Sequence, residues 1–353
     1  MPYFEKYNCV YLEAGAIYDW SGIKITKMIS IYGRGAIVRL SGDGPIIEVT
    51  GGLNDTPSNI PMTIYDVNFD GNEVVDRNVQ MSAAFLNRSA IWCTNAWKSS
   101  IINCTFSNFN GTAIWYRDNT LASTVGFQQE HLLLGCKFLK CRIGVSNSGR
   151  SEYSLANSNT FYDCCVCFNV IGGNWRRTAN QIKYSKCAYL HVEAGMWYEG
   201  SNKQNAAHGS FTSNTLNHCD DGCKWPAVFT LADGRPIGRL SGMYFDSSVS
   251  YPPTFTGNTL WYSGIELRGF RTDPNLKCYC FTGCTFMGKP TDPTSSRIAI
   301  AAAKKNLVFF IGCTGNNLNV YNGVVANMTP PFGNVLAGNY DSQYPLPNRM
   351  DTR

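Results

Sequence analysis

The stretch IINCTFSNFNGTAIWY, residues 101–116, contains the short pattern on which the fold prediction rests. In it a cysteine stands two residues before a phenylalanine, and a Cys or Asn two residues before an aromatic residue or leucine recurs along the chain. The members are Cys104-Thr105-Phe106, Cys136-Lys137-Phe138, Asn159-Thr160-Phe161, Cys187-Ala188-Tyr189, Asn214-Thr215-Leu216, Asn258-Thr259-Leu260, Cys284-Thr285-Phe286 and a degenerate Cys313-Thr314-Gly315. The steps between them are 32, 23, 28, 27, 44, 26 and 29 residues. Self-similarity at such periods predicts a repeat architecture.

Each period is filled by short apolar runs, such as SIIN, AIWY, VCFNV and NLVFFI, bounded by Gly, Asn, Ser and Asp. These runs indicate strands, and no long stretch has clean helical periodicity. Two or three short strands per repeat favour coils that stack and bury a shared interior. A propeller blade needs about 40–45 residues, longer than most steps, and a leucine ladder is missing. We therefore predict an all-β fold, a right-handed single-stranded parallel β-helix of roughly ten rungs.

The repeats predict one elongated β-helix domain over residues 1–340, with first coils at 8–60 and regular rungs at about 60–320. Residues 341–353 lack the periodic pattern and are expected to form a C-terminal tail. The step of 44 residues is expected to hide an insertion around Tyr251-Pro252-Pro253, or a second register that starts near Met243.

Equivalent positions of stacked rungs lie about 4.8 Å apart, so the repeat can be read in columns. The position two past each anchor is apolar and is predicted to point inward: Phe106, Phe138, Phe161, Tyr189 and Leu216. The positions four and six past are mostly polar and are predicted to face water. They are Asn108, Lys140, Asp163, His191 and His218 in one column, and Asn110, Arg142, Cys165, Glu193 and Asp220 in the other. This register stacks His191 on His218 and Glu193 on Asp220.

The composition argues against several classes of partner. Charged residues are 16% of the chain and the net charge is +5 without a basic run, so no nucleic-acid partner is predicted. No apolar run approaches the about 20 residues of a membrane span, so no membrane partner is predicted either. The 15 cysteines are an odd number and many fall in interior columns, which favours reduced core thiols in a protein made in a cytoplasm. No cofactor and no metal site are predicted.

One acidic cluster is a candidate catalytic centre, because glycoside hydrolysis normally uses two carboxylates. Stacked one rung apart, two carboxylates would lie about 5 Å from each other, and one pKa should rise toward that of a working acid. The candidates are Glu193, Glu199, Asp220 and Asp221, with Asp246 and Glu266 as weaker ones. Glu199 lies on the following strand and would leave space for a water. The alternative is a solvated acidic turn beside two surface histidines.

Aromatic residues near this cluster are candidate sugar platforms, because the aliphatic faces of sugars stack on such rings. The predicted substrate-binding residues are Trp197, Tyr198, Trp225, His191, His218, Trp175 and Arg176, with Trp115 and Trp261 as further aromatic candidates. Arg176 and Arg177 could meet an acidic sugar. The alternatives are a core aromatic ladder and a solvated arginine pair.

The rung signatures NCTF, GCKF, NTFY and GCTF, together with the opening VYLEAGAIYDWSGIKITKMISIYGRGA, resemble the pectate-lyase-like β-helices of bacteriophage tailspikes over roughly residues 8–340. The resemblance implies a homotrimer on the virion tail that binds, and usually cleaves, a bacterial surface polysaccharide. Such a protein is made in the host cytoplasm and acts at the host cell surface. Attachment to other virion tail components would use a part absent from this sequence.

The predicted function is therefore receptor binding with endo-glycosidic hydrolysis of O-antigen or capsule. A polysaccharide lyase that uses His191, His218 and Lys224 is the enzymatic alternative. A non-catalytic glycan-binding or structural spike is the alternative from another class. The sequence contains no GxSxG, HExxH, Walker or GxGxxG pattern in the context that such chemistry needs.

Overall fold

The computed structural model describes residues 2–51, 60–117, 127–147, 150–192, 208–219, 222–226, 228–230, 236–239, 242–246, 253–267, 279–288, 297–300, 308–316 and 319–321. A short helix, α1 (Pro2–Lys6), begins the chain. Its Phe4 ring packs edge-on against Trp20, with ring centroids 5.2 Å apart. The helix thus covers apolar surface at the open end of the first coil.

Three parallel sheets of eleven strands each form a right-handed parallel β-helix, because every coil contributes one strand to each sheet. The predicted fold is confirmed, with eleven rungs where roughly ten were expected. The first sheet contains β1 (Cys9–Tyr11), β4 (Ile29–Tyr32), β7 (Met62–Tyr65), β10 (Ser99–Ile102), β14 (Leu132–Leu134), β18 (Ser154–Asn157), β21 (Asn174–Thr178), β24 (His208–Thr212), β29 (Thr254–Thr256), β32 (Tyr279–Thr282) and β35 (Val308–Ile311).

The second sheet carries the residues of the predicted repeat. It contains β2 (Ile17–Trp20), β5 (Ile37–Leu40), β8 (Asn68–Asp70), β11 (Thr105–Ser107), β15 (Lys137–Leu139), β19 (Thr160–Tyr162), β22 (Gln181–Lys183), β25 (Thr215–Asn217), β30 (Thr259–Trp261), β33 (Thr285–Met287) and β36 (Thr314–Asn316). The anchor residue of the sequence pattern directly precedes the strand.

The third sheet contains β3 (Ile23–Ile25), β6 (Ile47–Thr50), β9 (Ile91–Thr94), β12 (Thr112–Arg117), β16 (Ile143–Asn147), β20 (Val166–Val170), β23 (Cys187–Val192), β28 (Gly242–Asp246), β31 (Ile265–Leu267), β34 (Arg297–Ile300) and β37 (Asn319–Tyr321). Outside the coils, β13 (Phe127–Gln129) pairs with β17 (Arg150–Glu152), and β26 (Val228–Thr230) with β27 (Pro236–Arg239). A single 3₁₀ turn spans Ala83–Phe85.

The middle residue of each three-residue second-sheet strand from β8 to β33 points into the core. Phe69, Phe106, Phe138 and Phe161 stack in register, with successive ring centroids 5.1, 5.0 and 4.5 Å apart and interplanar angles of 11° or less. Parallel in-register pairing places one side chain directly above the next, which brings offset-stacked rings into favourable contact. The predicted inward ladder is confirmed at Phe106, Phe138, Phe161 and Leu216.

The predicted register fails at one rung. Cys187-Ala188-Tyr189 lies in β23 of the third sheet, where Tyr189 pairs with Phe168. The second-sheet member between Phe161 and Leu216 is Ile182, because β22 pairs with both β19 and β25. The true anchor is therefore Asn180, 21 residues after Asn159 and 34 before Asn214. A β-branched residue fills the inward position as well as an aromatic one does, and a pattern limited to aromatics and leucine misses it.

The long step from Asn214 to Asn258 contains an antiparallel pair of strands, β26 and β27, which lies outside the three sheets. Met243 follows the pair and belongs to β28, the third-sheet strand of that coil. The observed insertion therefore precedes Met243. The sequence also suggested an insertion around Tyr251-Pro252-Pro253. Residues 247–252 lie outside the described residues, whereas Pro253 is described.

A column of asparagines runs along the interior at the anchor position. The Nδ2 group of Asn180 donates to the Ala156 carbonyl at 3.2 Å and to Asn214 Oδ1 at 2.8 Å, and its Oδ1 accepts from Asn159. The same contacts recur from Asn159 through Asn258, and cysteines occupy the column at both ends. Each amide thus satisfies backbone groups that the tight corner before the strand leaves without a ladder partner.

We expect Asn180→Ala to lower the free energy of unfolding by about 2–3 kcal/mol, because buried donors and acceptors on both neighbouring rungs lose their partner. Urea denaturation measures the change. Gln181→Ala is the matched control: its side chain is exposed, and its effect should stay within about 0.5 kcal/mol. Equal effects of the two substitutions would show that the amide column does not stabilise the fold.

The outer side of the third sheet is covered by the segment of residues 73–90. Val75, Met81, Phe85 and Leu86 of this segment pack on outward-facing residues of β16, β20, β23 and β28. Arg142 fastens the segment: its guanidinium donates to the carbonyl of Asp76 at 3.1 Å, to Val79, and to Asn110 Oδ1 at 3.0 Å. Arg142 is 1% exposed, so the prediction that its column faces water is wrong.

The described cysteines are free, and most of them are buried. Burial raises the pKa of the Cys93 thiol to about 12, which keeps it protonated and unreactive. Within the described residues no helix has the length and apolarity that crossing a bilayer requires.

Candidate functional site

The predicted acidic centre is not part of the described structure. Glu193, Glu199, Asp220 and Asp221 lie outside the described residues, as do the aromatic candidates Trp197 and Tyr198. Of the weaker candidates, Glu266 is 4% exposed within β31. Asp246 ends β28, and its side chain is not described.

The stacking of His191 on His218, which helped to motivate this centre, does not occur. His191 lies in β23 of the third sheet, where it pairs with Phe245, whereas His218 follows β25 of the second sheet. The residue six past the true anchor Asn180 is Lys186, not Glu193. The predicted pair of His191 with His218 is therefore wrong, because it rests on the misplaced rung. The predicted pair of Glu193 with Asp220 lies outside the described residues.

His191 is a core residue, not a substrate-binding one. It has no exposed surface, and its Nδ1 lies 3.5 Å from the Tyr279 hydroxyl. Burial, with a smaller contribution from the Arg177 charge, lowers the pKa of His191 to about 3. A neutral imidazole inside the coil cannot serve as the predicted base at the surface.

Trp225 and Trp175 are also buried, against the prediction that they form sugar platforms. Trp225 is 3% exposed and donates from Nε1 to the carbonyl of Asp163 at 3.0 Å. Its ring lies within 6 Å of the guanidinium of Arg142, so it belongs to the cover of the third sheet. Trp175 is fully buried and donates to Ser151 Oγ at 2.8 Å.

The two adjacent arginines separate to opposite sides of the first sheet. Arg176 is exposed and remains available to a ligand, but on a different face from His218. Arg177 points inward between Ala156 and Phe211, where Asn147 Oδ1 accepts from it at 2.6 Å and the rings of Trp175 and Tyr189 flank it. Burial lowers its pKa to about 10. The interpretation of Arg176 and Arg177 as a solvated pair is therefore wrong for Arg177, which is buried.

The described structure brings two sets of exposed rings together: Tyr11, Tyr32 and Tyr65 on the first sheet, and a longer set at the corner that follows the second sheet. We call the longer set the aromatic stripe; its members are Tyr162, Tyr184, His218, Trp261 and Tyr262. Three of these side chains are more than a third exposed: Tyr162 at 43%, Tyr184 at 37% and Trp261 at 41%. His218 and Tyr262 are half-buried. The stripe covers four consecutive rungs.

Ring contacts are continuous along the stripe. Tyr162 and Tyr184 have centroids 5.7 Å apart, Tyr184 and His218 5.0 Å, and His218 and Tyr262 5.0 Å. Trp261 packs against Tyr262 at 5.6 Å. Spacing close to one rung follows from the in-register pairing of the strands that precede these residues. The register of these strands therefore fixes the positions of the rings.

The corner geometry explains why these side chains turn outward. Lys140, Asp163, Tyr184, His218 and Tyr262 occupy equivalent positions and have φ between 49° and 57°. This left-handed conformation is costly for residues with a Cβ and reverses the chain direction sharply at each coil. The same conformation recurs at these five corners, where Lys140, Tyr184, His218 and Tyr262 reach the surface and Asp163 pairs with Arg77.

Polar groups lie between the rings. In the outward row of the second sheet, Tyr162 pairs with Lys183, Lys183 with Asn217, and Asn217 with Trp261. Asn217 Oδ1 and His218 Nδ1 are hydrogen-bonded. The neighbouring row consists of Thr160, Gln181, Thr215 and Thr259, all exposed or half-buried. The surface therefore places hydrogen-bonding groups directly beside a continuous run of aromatic rings.

Sequence reasoning found His218 and Trp261 but missed Tyr162, Tyr184 and Tyr262. The signal was present: Tyr184 and Tyr262 stand four residues after Asn180 and Asn258. With Asn180 as an anchor, the column four residues past the anchor contains three consecutive rings, those of Tyr184, His218 and Tyr262. Among the residues that the structure describes, no group of three or more His, Cys, Asp or Glu is arranged to hold a metal ion.

Comparison with known proteins gives one family. The family described as "Adenovirus EB1 55K protein / large t-antigen" matches residues 3–226, more than half of the chain. A mannuronic-acid-specific polysaccharide family 6 lyase from the human gut microbiota has a structure that covers 90% of this chain and 84% of its own, at 10% identity and a TM-score of 0.34. Neither the reaction nor the substrate of that lyase is carried over at this level of similarity. No curated protein sequence matches the chain.

Proposed function

The chain belongs to the adenovirus EB1 55K protein / large t-antigen family, and we propose on that premise that it is a viral binding protein whose β-helix presents the aromatic stripe to a glycan. The family is not that of the bacteriophage tailspikes which the rung signatures resemble. As in that resemblance, we propose a rigid β-helix that recognises a surface polysaccharide. Binding without cleavage is the activity proposed.

One observation carries the proposal: Tyr162, Tyr184, Trp261 and two half-buried rings form a continuous exposed surface over four rungs. Exposed aromatic surface of this extent is uncommon unless it has a ligand or partner. Because the rings are held by the backbone register, binding costs little conformational entropy.

Polar groups directly beside the rings favour a sugar over a protein partner. A protein interface typically has a contiguous apolar centre and a polar rim. Here Lys183 and Asn217 separate Tyr162 from Trp261 within one row, and a row of threonines borders them. A sugar combines an aliphatic face with hydroxyl groups in the same way at the same scale.

Cleavage of the bound glycan is the alternative proposal. Endo-glycosidic hydrolysis would use Glu193, Glu199, Asp220 and Asp221, and lyase chemistry would use His218 and Lys224. The register that aligned His191 with His218 is not the observed one, and His191 is buried. Both facts weigh toward binding alone.

Homotrimeric assembly and a place at the virion surface remain part of the proposal. The motivation is the long β-helix with exposed lateral rings, such as Tyr11 at 68% and Tyr65 at 40%. Light scattering at micromolar concentration should give three times the monomer mass. A monomer under these conditions would contradict the trimer without touching the glycan site.

We expect Trp261→Ala to lower the affinity for the cognate glycan about tenfold, since an exposed tryptophan within a binding surface commonly supplies that much binding energy. A glycan array of host-cell surface polysaccharides identifies the tightest-bound glycan, and calorimetry with that glycan measures the change. Reducing-sugar release and the ultraviolet absorbance of unsaturated products are followed in the same samples.

Tyr153→Ala is the matched control, because Tyr153 is a 69% exposed tyrosine outside the stripe. Its affinity should equal that of the parent. Loss of binding in both variants, or in neither, would contradict the stripe as the glycan site. Release of reducing ends would favour hydrolysis, unsaturated products would favour lyase chemistry, and the absence of glycan binding on every array would refute the proposed function.

A further inference from the structure

The amino-terminal end of the aromatic stripe carries positive charge. Lys183 stands in the outward row, one rung after Tyr162 and one before Asn217. Lys140 occupies the corner column one rung before Asp163, and Lys137 stands in the neighbouring row beside Thr160. All three lysines are exposed.

The carboxylate of Asp163, in the same corner column as Lys140, does not neutralise them. Asp163 is held by Arg77, which donates from Nε to Oδ1 at 3.1 Å and from Nη2 to Oδ2. The Asp163 side chain is 8% exposed, so its charge is compensated and turned away from solvent. Among the described residues no carboxylate lies within ion-pair distance of Lys137, Lys140 or Lys183.

Free ammonium groups beside exposed rings select for a ligand with negative charge. From this arrangement we infer that the glycan bound on the stripe is acidic, with carboxylates held by Lys183 and Lys140 while its sugar rings stack on Tyr162 and Tyr184. The inference rests on the proposed function and adds the substrate class. Lys183 lies one rung after Tyr162 and directly precedes Tyr184 in the chain. One sugar unit can therefore contact both an ammonium group and an aromatic face.

Carboxyl reduction provides a direct test, since it removes the charge of a uronic-acid polysaccharide and leaves its backbone and linkages intact. A panel of acidic glycans is therefore measured by calorimetry against the carboxyl-reduced form of each. The acidic member of the recognised pair should bind about tenfold more tightly at low salt, and the difference should shrink as ionic strength rises.

Lys183→Gln and Lys140→Gln should each reduce the affinity for the acidic form about threefold, and their combination about tenfold, with no change for the reduced form. Lys24→Gln is the control, because Lys24 is an exposed lysine of β3 far from the stripe. Equal binding of acidic and reduced forms, with both weakened by Trp261→Ala, would overturn the inference and leave the proposed function standing. Binding of neither form, nor of any neutral glycan, would refute the proposed function itself.

Discussion

Phe138→Asp is expected to abolish soluble folding of the chain. Phe138 has no exposed surface, and its ring is stacked between Phe106 and Phe161 at 5.0 and 4.5 Å. The substitution removes both ring contacts and places a carboxylate in an apolar interior without a partner. An unpaired buried charge costs several kcal/mol, and the lost ring adds about 3–5 kcal/mol, which together approach the whole stability of a typical domain.

Soluble yield and thermal unfolding of purified material measure this effect. Lys137→Asp is the control, because it places the same charge one residue away on the exposed side of the same strand. That variant should fold with nearly the parental melting temperature. A Phe138→Asp protein that melts within a degree or two of the parent would show that the stacked ring does not lie in the core.

Acidification from pH 7 to pH 5 is expected to destabilise the protein by about 4 kcal/mol through two buried histidines. Burial lowers the pKa of His131 and of His191 to about 3. In the unfolded chain the same groups have a pKa of about 6.5. Below pH 6.5 the unfolded state therefore binds protons that the folded state does not, and stability falls until the pH approaches 3. Each histidine contributes about 2 kcal/mol over this interval.

The surroundings explain why neither imidazole accepts a proton in the folded state. His131 Nδ1 lies 2.7 Å from Ser99 Oγ, and its ring packs on Tyr116 at 4.4 Å. The Nε2 atoms of His131 and His191 are buried without a hydrogen-bond partner among the described residues. A proton added there would carry an uncompensated charge.

Urea denaturation at pH 7 and at pH 5 measures the expected loss. The double variant His131→Asn/His191→Asn cannot titrate at these positions, so its stability should change by about 4 kcal/mol less than that of the parent over the same interval. Each single variant should show half of the difference. Identical pH dependence in parent and double variant would mean that the two histidines are not held neutral in the core.

The sequence predicted the scaffold well because the scaffold is local and repeated. An anchor Cys or Asn stands two residues before the inward side chain of the second-sheet strands from β11 to β33, and the structure has that side chain buried from Phe106 to Phe286. Parallel pairing repeats one environment eleven times, so a motif present in only part of the chain predicts strand type and inward face for the whole fold. Even a missed member, Asn180, leaves the fold prediction intact.

The site depended on register across distant residues, and there one missed anchor changed the result. Counting from Cys187 aligned His191 with His218, whereas counting from Asn180 aligns Tyr184 with His218. Because Cys187 lies in the third sheet and not the second, the prediction placed the buried His191 at the surface. It also missed Tyr184 and Tyr262, the rings that flank His218. The sequence could not predict the exposure of individual side chains either. The segment of residues 73–90 buries Arg142, although the polar residues in its column suggested that the column faces water.

The sequence by itself therefore determined the parallel β-helix, its stacked aromatic core and its reduced interior thiols, since these follow from residue type at a fixed spacing. Only the tertiary structure decided which polar and aromatic side chains remain exposed. Trp225 and Trp261 are the same residue type, yet one is clamped beneath Arg77 and Arg142 and the other is 41% exposed beside Tyr262. The physical reason is that burial depends on what packs above a residue, and here that covering comes from a segment more than a hundred residues away in the chain.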